Sequence, residues 1–184
     1  MIFKNIAKAA ARLLDKEDVA AHFDEPSSSD AVRREAELVA RCVNLCIAQT
    51  AAEYAPFLAE ETVEAPNGTV EFSALSHDAA DIVSAEDLSG NRLKIKLYPG
   101  YFRTSPGTVK VCYSYYPEKF SEEDEVCFGD RRVSEGLLAY GAAAEYCLVA
   151  GLFDEAVVWN EKYLDGVKKT LFGRNKTIRE RVWT

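Results

Sequence analysis

Apolar positions keep a helical period at both ends of this chain and an alternating period in its middle. Residues 2–14 place Ile2, Ile6, Ala9, Ala10 and Leu13 near one side of a turn of 3.6 residues, with Lys4, Lys8 and Arg12 on the other, which predicts a short amphipathic helix. The segment Glu25-Pro-Ser-Ser-Ser-Asp30 ends one element and starts the next, so the first thirty residues are expected to form a helical arm and linker. From Ala31 to Tyr54, Val32, Ala36, Val39, Val43, Ile47, Thr50 and Tyr54 recur at steps of three and four. That stripe predicts a long helix stopped by Pro56, whose nitrogen cannot donate the next backbone bond.

The period then falls to two. Strands are expected over 69–75, 81–84, 92–97 and 108–115, and in the third Leu93, Ile95 and Leu97 alternate with Arg92, Lys94 and Lys96. Asn67-Gly68, Ser89-Gly-Asn91 and Ser105-Pro-Gly107 supply turn chemistry, so the strands should make an antiparallel sheet with short connections. The helical period returns at Val133. Ser134 is placed as an N-cap with a staple from Val133 to Leu138, and the helix is rich in small residues: Gly136, Ala139, Gly141, Ala142, Ala143 and Ala144. Gly151 should end it, and a second helix over 154–171 carries Ala156, Trp159, Tyr163, Val167 and Leu171 on one stripe up to Gly173. The expected fold is α+β and mainly helical, with N-terminal helices, a small central antiparallel β-sheet and a C-terminal αα-hairpin. One domain over 31–172 is expected, flanked by the arm 1–30 and a basic tail, 173–184.

Composition changes this picture little and charge changes it more. The 184 residues are 48% hydrophobic and 28% charged, as in a globular chain able to build a sizeable core. The net charge is −8, yet from Lys162 to the end seven Lys/Arg face only Asp165 and Glu180, so a local +5 hangs from a body carrying −13. Opposite charges separated in this way orient like copies toward one another on encounter. An acidic body argues against general affinity for nucleic acid. The five cysteines are odd in number and lack C-x-x-C spacing, which reads as reduced thiols. Lysines interrupt the apolar residues at the N-terminus, and no apolar run is long enough to span a bilayer, so use in a cytoplasm and no membrane are expected.

Candidate chemistry is sparse. His22 and His77 each have few acidic neighbours, and Cys42 and Cys46, one turn apart beside Val43 and Ile47, read as small buried hydrophobes; no metal or cofactor is expected. Phosphate loops, dinucleotide-binding turns, nucleophile elbows and zinc-protease helices are absent from the sequence, so no catalytic residue is assigned and a non-enzymatic role is expected. The acidic run Glu122-Glu-Asp-Glu125 reads as a solvated loop. The cluster Tyr98, Tyr101, Phe102, Tyr113, Tyr115 and Tyr116 can stack single-stranded nucleic acid near Lys94, Lys96 and Arg103, but cross-strand packing is the simpler use of alternating tyrosines. Trp183, flanked by arginines, has the composition of an interface anchor, and the partner-binding residues are read as Arg174, Lys176, Ile178, Arg179, Arg181, Val182 and Trp183.

The order of elements, closing its sheet on Val109-Lys-Val-Cys-Tyr-Ser-Tyr-Tyr-Pro117 and passing through Tyr140-Gly-Ala-Ala-Ala-Glu-Tyr-Cys-Leu148 and Gly151-Leu-Phe-Asp-Glu-Ala156 into Trp159-Asn-Glu-Lys-Tyr163, resembles the head-to-tail connector, or adaptor, proteins of short-tailed bacteriophages. The likeness covers roughly residues 31–172, and the N-terminal arm has no counterpart in it. It implies a structural protein of the virion neck, assembled in the host cytoplasm as a ring, a dodecamer, on the portal protein. Tail or nozzle proteins would meet its other side, and DNA would pass through the channel without specific binding. It also implies that the C-terminal segment extends onto the portal. Two rival expectations stand beside it: a small interaction module using its basic tail, and an enzyme of unfamiliar type centred on His77 or the acidic loop.

Overall fold

The computed structural model describes residues 1–173, which fall into two compact units: 1–46 with 132–173, and 47–131. The α+β, mainly helical architecture expected from the periodicity is the one observed. The strand-rich unit is one continuous insertion into a helical unit built from both ends of the chain.

In the helical unit, α1 (Phe3–Leu13) buries Phe3, Ile6, Ala7, Ala10 and Ala11. This spacing is one apolar face of a helix, rotated slightly from the expected stripe so that Phe3, the largest apolar side chain of the segment, is covered in place of Ile2. The segment expected as an arm is therefore packed, with α1 lying against both α2 (Glu17–His22) and α4 (Glu135–Val149). Asp15 ends α1 in the left-handed region, φ 58°, where Asp is better tolerated than most residues. Helix α3 (Asp30–Glu53) follows, and Ala36, Val39, Val43 and Ile47 of its expected stripe are buried.

Helix α4 is buried nearly all round. The Ser134 hydroxyl caps it by accepting from the Leu137 N–H at 3.3 Å, as the sequence motif requires. Gly141 leaves no room for a side chain: a Cβ there would stand 2.4 Å from Cys46 Sγ and 3.1 Å from the Tyr163 ring. Gly151, at φ 76°, turns the chain into α5 (Phe153–Val167), which packs back on α4 and continues as one wider π-helical turn, Lys168–Phe172. Ala156, Tyr163, Val167 and Leu171 of the expected stripe are buried, and Trp159 is half-buried.

The other unit holds two three-stranded antiparallel sheets. Their strands are β1 (Phe57–Ala65), β2 (Thr69–Glu71), β3 (Ala79–Asp87), β4 (Lys96–Tyr98), β5 (Tyr101–Arg103) and β6 (Gly107–Tyr115). The spatial orders are β1-β6-β3 and β2-β5-β4. Strand β1 escapes sequence reasoning because Leu58, Ala59, Glu60 and Glu61 are strong helix formers, yet pairing with β6 along its whole length makes it extended. The expected strand at 69–75 stops at Glu71 and becomes a 3₁₀ turn, Phe72–Ala74. The one at 92–97 is a strand only from Lys96, with a single bridge from Arg92 to Glu86 before it. The core of this unit gathers Val70, Leu75, Ile82, Phe102, Val109, Val111 and Tyr113 around β6.

Candidate functional site

Within the helical unit, α4 ends on Leu148 and Val149, the connection is Ala150-Gly-Leu152, and α5 opens on Phe153, so four large apolar residues gather at a helix–turn–helix junction where solvent normally selects polar ones. Packing of α4 on α5 consumes only the facing stripe. Leu148, Val149, Leu152, Phe153, Val157 and Val158 are left exposed, Phe153 by 66%. The patch continues into an open groove of about 600 Å³ floored by Leu13, Leu14, Tyr146, Leu152, Val158 and Trp159, with Asp15, Asp154 and Glu155 at its edge.

The groove wall is held by a polar network. Lys16 pairs with Glu35 at 2.7 Å and lies over the Tyr146 ring at 5.2 Å, while the Tyr146 hydroxyl donates to the same Glu35 carboxylate. Those bonds, first from Lys16 and then from Tyr146, hold Glu35 below the ordinary carboxylate range against the effect of burial. The bond to Glu35 likewise holds Lys16 above its usual value. Behind the groove, Trp159 stacks on Tyr140 at 5.9 Å, and Lys162 sits 4.2 Å above its ring.

The sequence-nominated residues are placed separately. Arg174, Lys176, Ile178, Arg179, Arg181, Val182 and Trp183 lie outside the described residues. His22 Nδ1 accepts the Ser27 N–H at 2.8 Å, closing the turn after α2. In the strand-rich unit, the His77 ring stacks on Tyr115 at 4.1 Å, and the His77 backbone N–H donates to the Tyr113 hydroxyl. Tyr113 in turn donates to Glu61, which points into the sheet and also accepts from Ser76. Burial, and then the bond to Glu61, push the Tyr113 hydroxyl up to about 12. Burial alone would raise Glu61, but the bonds from Tyr113 and Ser76 outweigh it and keep the carboxylate low.

His77 borders an open depression with Phe57, Ser76, Tyr115, Glu125 and Cys127. Burial and the Glu125 side chain push the Cys127 thiol above its normal range, the opposite of what activates a nucleophile. The acidic run is exposed, and Asp124 caps its own loop by accepting the Ser121 N–H. Cys42 and Cys46 are buried, and burial raises Cys42 to about 11. Among the described residues no three metal-ligating side chains gather, and no helix is long and apolar enough to cross a membrane.

The aromatic cluster divides. Phe102 and Tyr113 are core, Tyr115 stacks on His77, Tyr98 and Tyr101 stack on each other at 4.9 Å, and Tyr116 is exposed. Sequence reasoning missed the apolar α4–α5 turn altogether. Its signal was present, in that Leu148, Val149, Leu152 and Phe153 flank Gly151 in place of the usual polar residues. No family model and no curated protein matches the chain.

Proposed function

We propose that the chain is a structural, non-enzymatic virion protein, a head-to-tail adaptor that docks as a ring on the portal protein and joins the capsid to the tail around the DNA channel. The observation that carries this reading is the exposed apolar end of the αα-hairpin. Six large apolar side chains are exposed on this hairpin, two of them, Leu152 and Val158, lining a groove, and such a surface stays wet only until a partner covers it. The resemblance in element order supports the adaptor as the kind of assembly. The acidic body suits a channel that lets DNA pass, since a lining of carboxylates makes few phosphate contacts.

In this role the hairpin supplies apolar contact area and the basic C-terminal residues supply charge-assisted contacts to the portal. Electron microscopy of the chain mixed with its portal protein tests the proposal. Ring density at the tail-side face of the portal is expected. A chain that leaves the portal bare and stays monomeric overturns the adaptor reading and favours the small interaction module.

A further inference from the structure

The strand-rich unit separates its charges onto two surfaces. Pairing register places Glu60 and Glu64 of β1 on the outer face of the larger sheet, opposite Cys112 and Thr108 of β6, with Asp81 and Glu86 of β3 completing the same face. Their neighbours inward, such as Val109, Val111 and Tyr113, are core. Two cations share that face among the described residues: Lys110, paired with Glu60, and Arg92, bridged to Glu86 at the edge. Leu58, on the same side of β1, is exposed among these carboxylates.

The β4–β5 hairpin is the converse. From Leu88 to Pro117 the chain has five Lys/Arg and no Asp or Glu, and Lys94, Lys96 and Arg103 of this stretch are exposed. Lys96 and Arg103 lie over the Tyr98 ring at 5.4 and 5.7 Å, and among the described residues neither meets a carboxylate. Leu97 lies between Lys96 and Tyr98 in sequence but on the opposite face, paired with the buried Phe102, while Glu71 of β2, paired with Tyr101, is among the described residues the one carboxylate that the register puts on the face of Lys96 and Arg103. The outer sheet face, with four carboxylates against Lys110 and Arg92, is thus acidic in balance, and the face of Lys96 and Arg103, with Glu71, is basic in balance.

We infer that the basic β4–β5 hairpin of one copy docks on the acidic outer sheet face of the next copy. The contact is heterologous, because the two patches belong to different sheets of the same unit, and such contacts propagate head to tail until they close. It deepens the proposed ring by naming the contact between copies, and it rests on that reading only for closure. A second copy is favoured over nucleic acid for two reasons. The Tyr98 and Tyr101 faces that bases would use are turned on each other, with Lys96 and Arg103 also over the Tyr98 ring, and a chain of net charge −8 repels a polyanion.

Sedimentation velocity of the full chain at about 20 mM ionic strength, where surface charges are least screened, tests the inference. Self-association of the unaltered chain is expected. Lys96→Glu with Arg103→Glu, or Asp81→Lys with Glu86→Lys, should each weaken it at least about tenfold, and combining all four should restore most of it by exchanging the signs. Circular dichroism checks that each variant is folded.

Monomeric unaltered protein, an unchanged association after either reversal, or no recovery in the combined variant overturns the inference. Loss of binding to a short DNA duplex by the Lys96/Arg103 variant, with self-association intact, assigns the hairpin to nucleic acid instead. The adaptor proposal is judged separately on portal binding. Salt-sensitive association without portal binding sinks that proposal and leaves this contact standing, while portal-bound rings indifferent to the charge reversals do the reverse.

Discussion

Single residues in this protein matter where a close approach or a buried polar bond leaves no slack. Gly141 has Cys46 Sγ and the Tyr163 ring within the space its side chain would need. Gly141→Leu should therefore destabilise by at least about 1–3 kcal/mol through overpacking, whereas Lys94→Leu, on an exposed position, should leave the melting temperature nearly unchanged. Thermal melts of the two variants side by side make the comparison. Tyr146→Phe removes the donor to Glu35 and should cost about 1–2 kcal/mol in chemical denaturation.

The carboxylates give this scale a pH dependence. Glu35 and Glu61 titrate below the ordinary 4.5 in the folded chain, so their stabilisation is complete above that pH and is lost as pH falls through the folded values. Stability measured from pH 6 down to about 3 should decline, and the decline should be shallower in Glu61→Gln, which no longer takes up that proton.

At the scale of elements, the αα-hairpin separates folding from association. Its inner stripe, Ala156, Tyr163 and Val167, holds α5 on α4, while Phe153 and Val157 face water. Phe153→Ser with Val157→Ser should thus keep the melting temperature within a few degrees and abolish portal binding in a pull-down. A matching loss of both would show that the exposed patch is structural. Ser134→Ala acts on the other side of this distinction. Losing the cap at the start of α4 should cost about 1 kcal/mol of stability and leave binding intact.

For the whole molecule, the relevant feature is the separation of charge along the chain, which short-range packing does not demand. Removing residues 174–184 deletes four Lys/Arg and Trp183 at the cost of one Glu, and on the adaptor reading it should weaken portal binding by about 2 kcal/mol or more while leaving the two compact units folded. Unchanged portal affinity and normal particles would remove the tail from the proposed contact.

Helices α3, α4 and α5, the cap at Ser134, the stop at Gly151 and strand β6 were legible in the sequence, because each rests on a periodicity or a local backbone requirement that a few neighbouring residues satisfy among themselves. Only tertiary pairing decided the rest. Phe57–Ala65 is a strand because β6 offers it a full ladder of partners, against the helical preference of its own residues, and Glu61 faces inward because Tyr113 and Ser76 meet it there. The first helix is packed because α4 supplies a surface for Phe3, and a distant segment of chain cannot be read from the helix itself. The sites divide the same way. Opposite charges are visible in sequence as counts, but which carboxylates share a sheet face, and which apolar residues remain outside a helical hairpin, depend on register and on which faces the packing consumes.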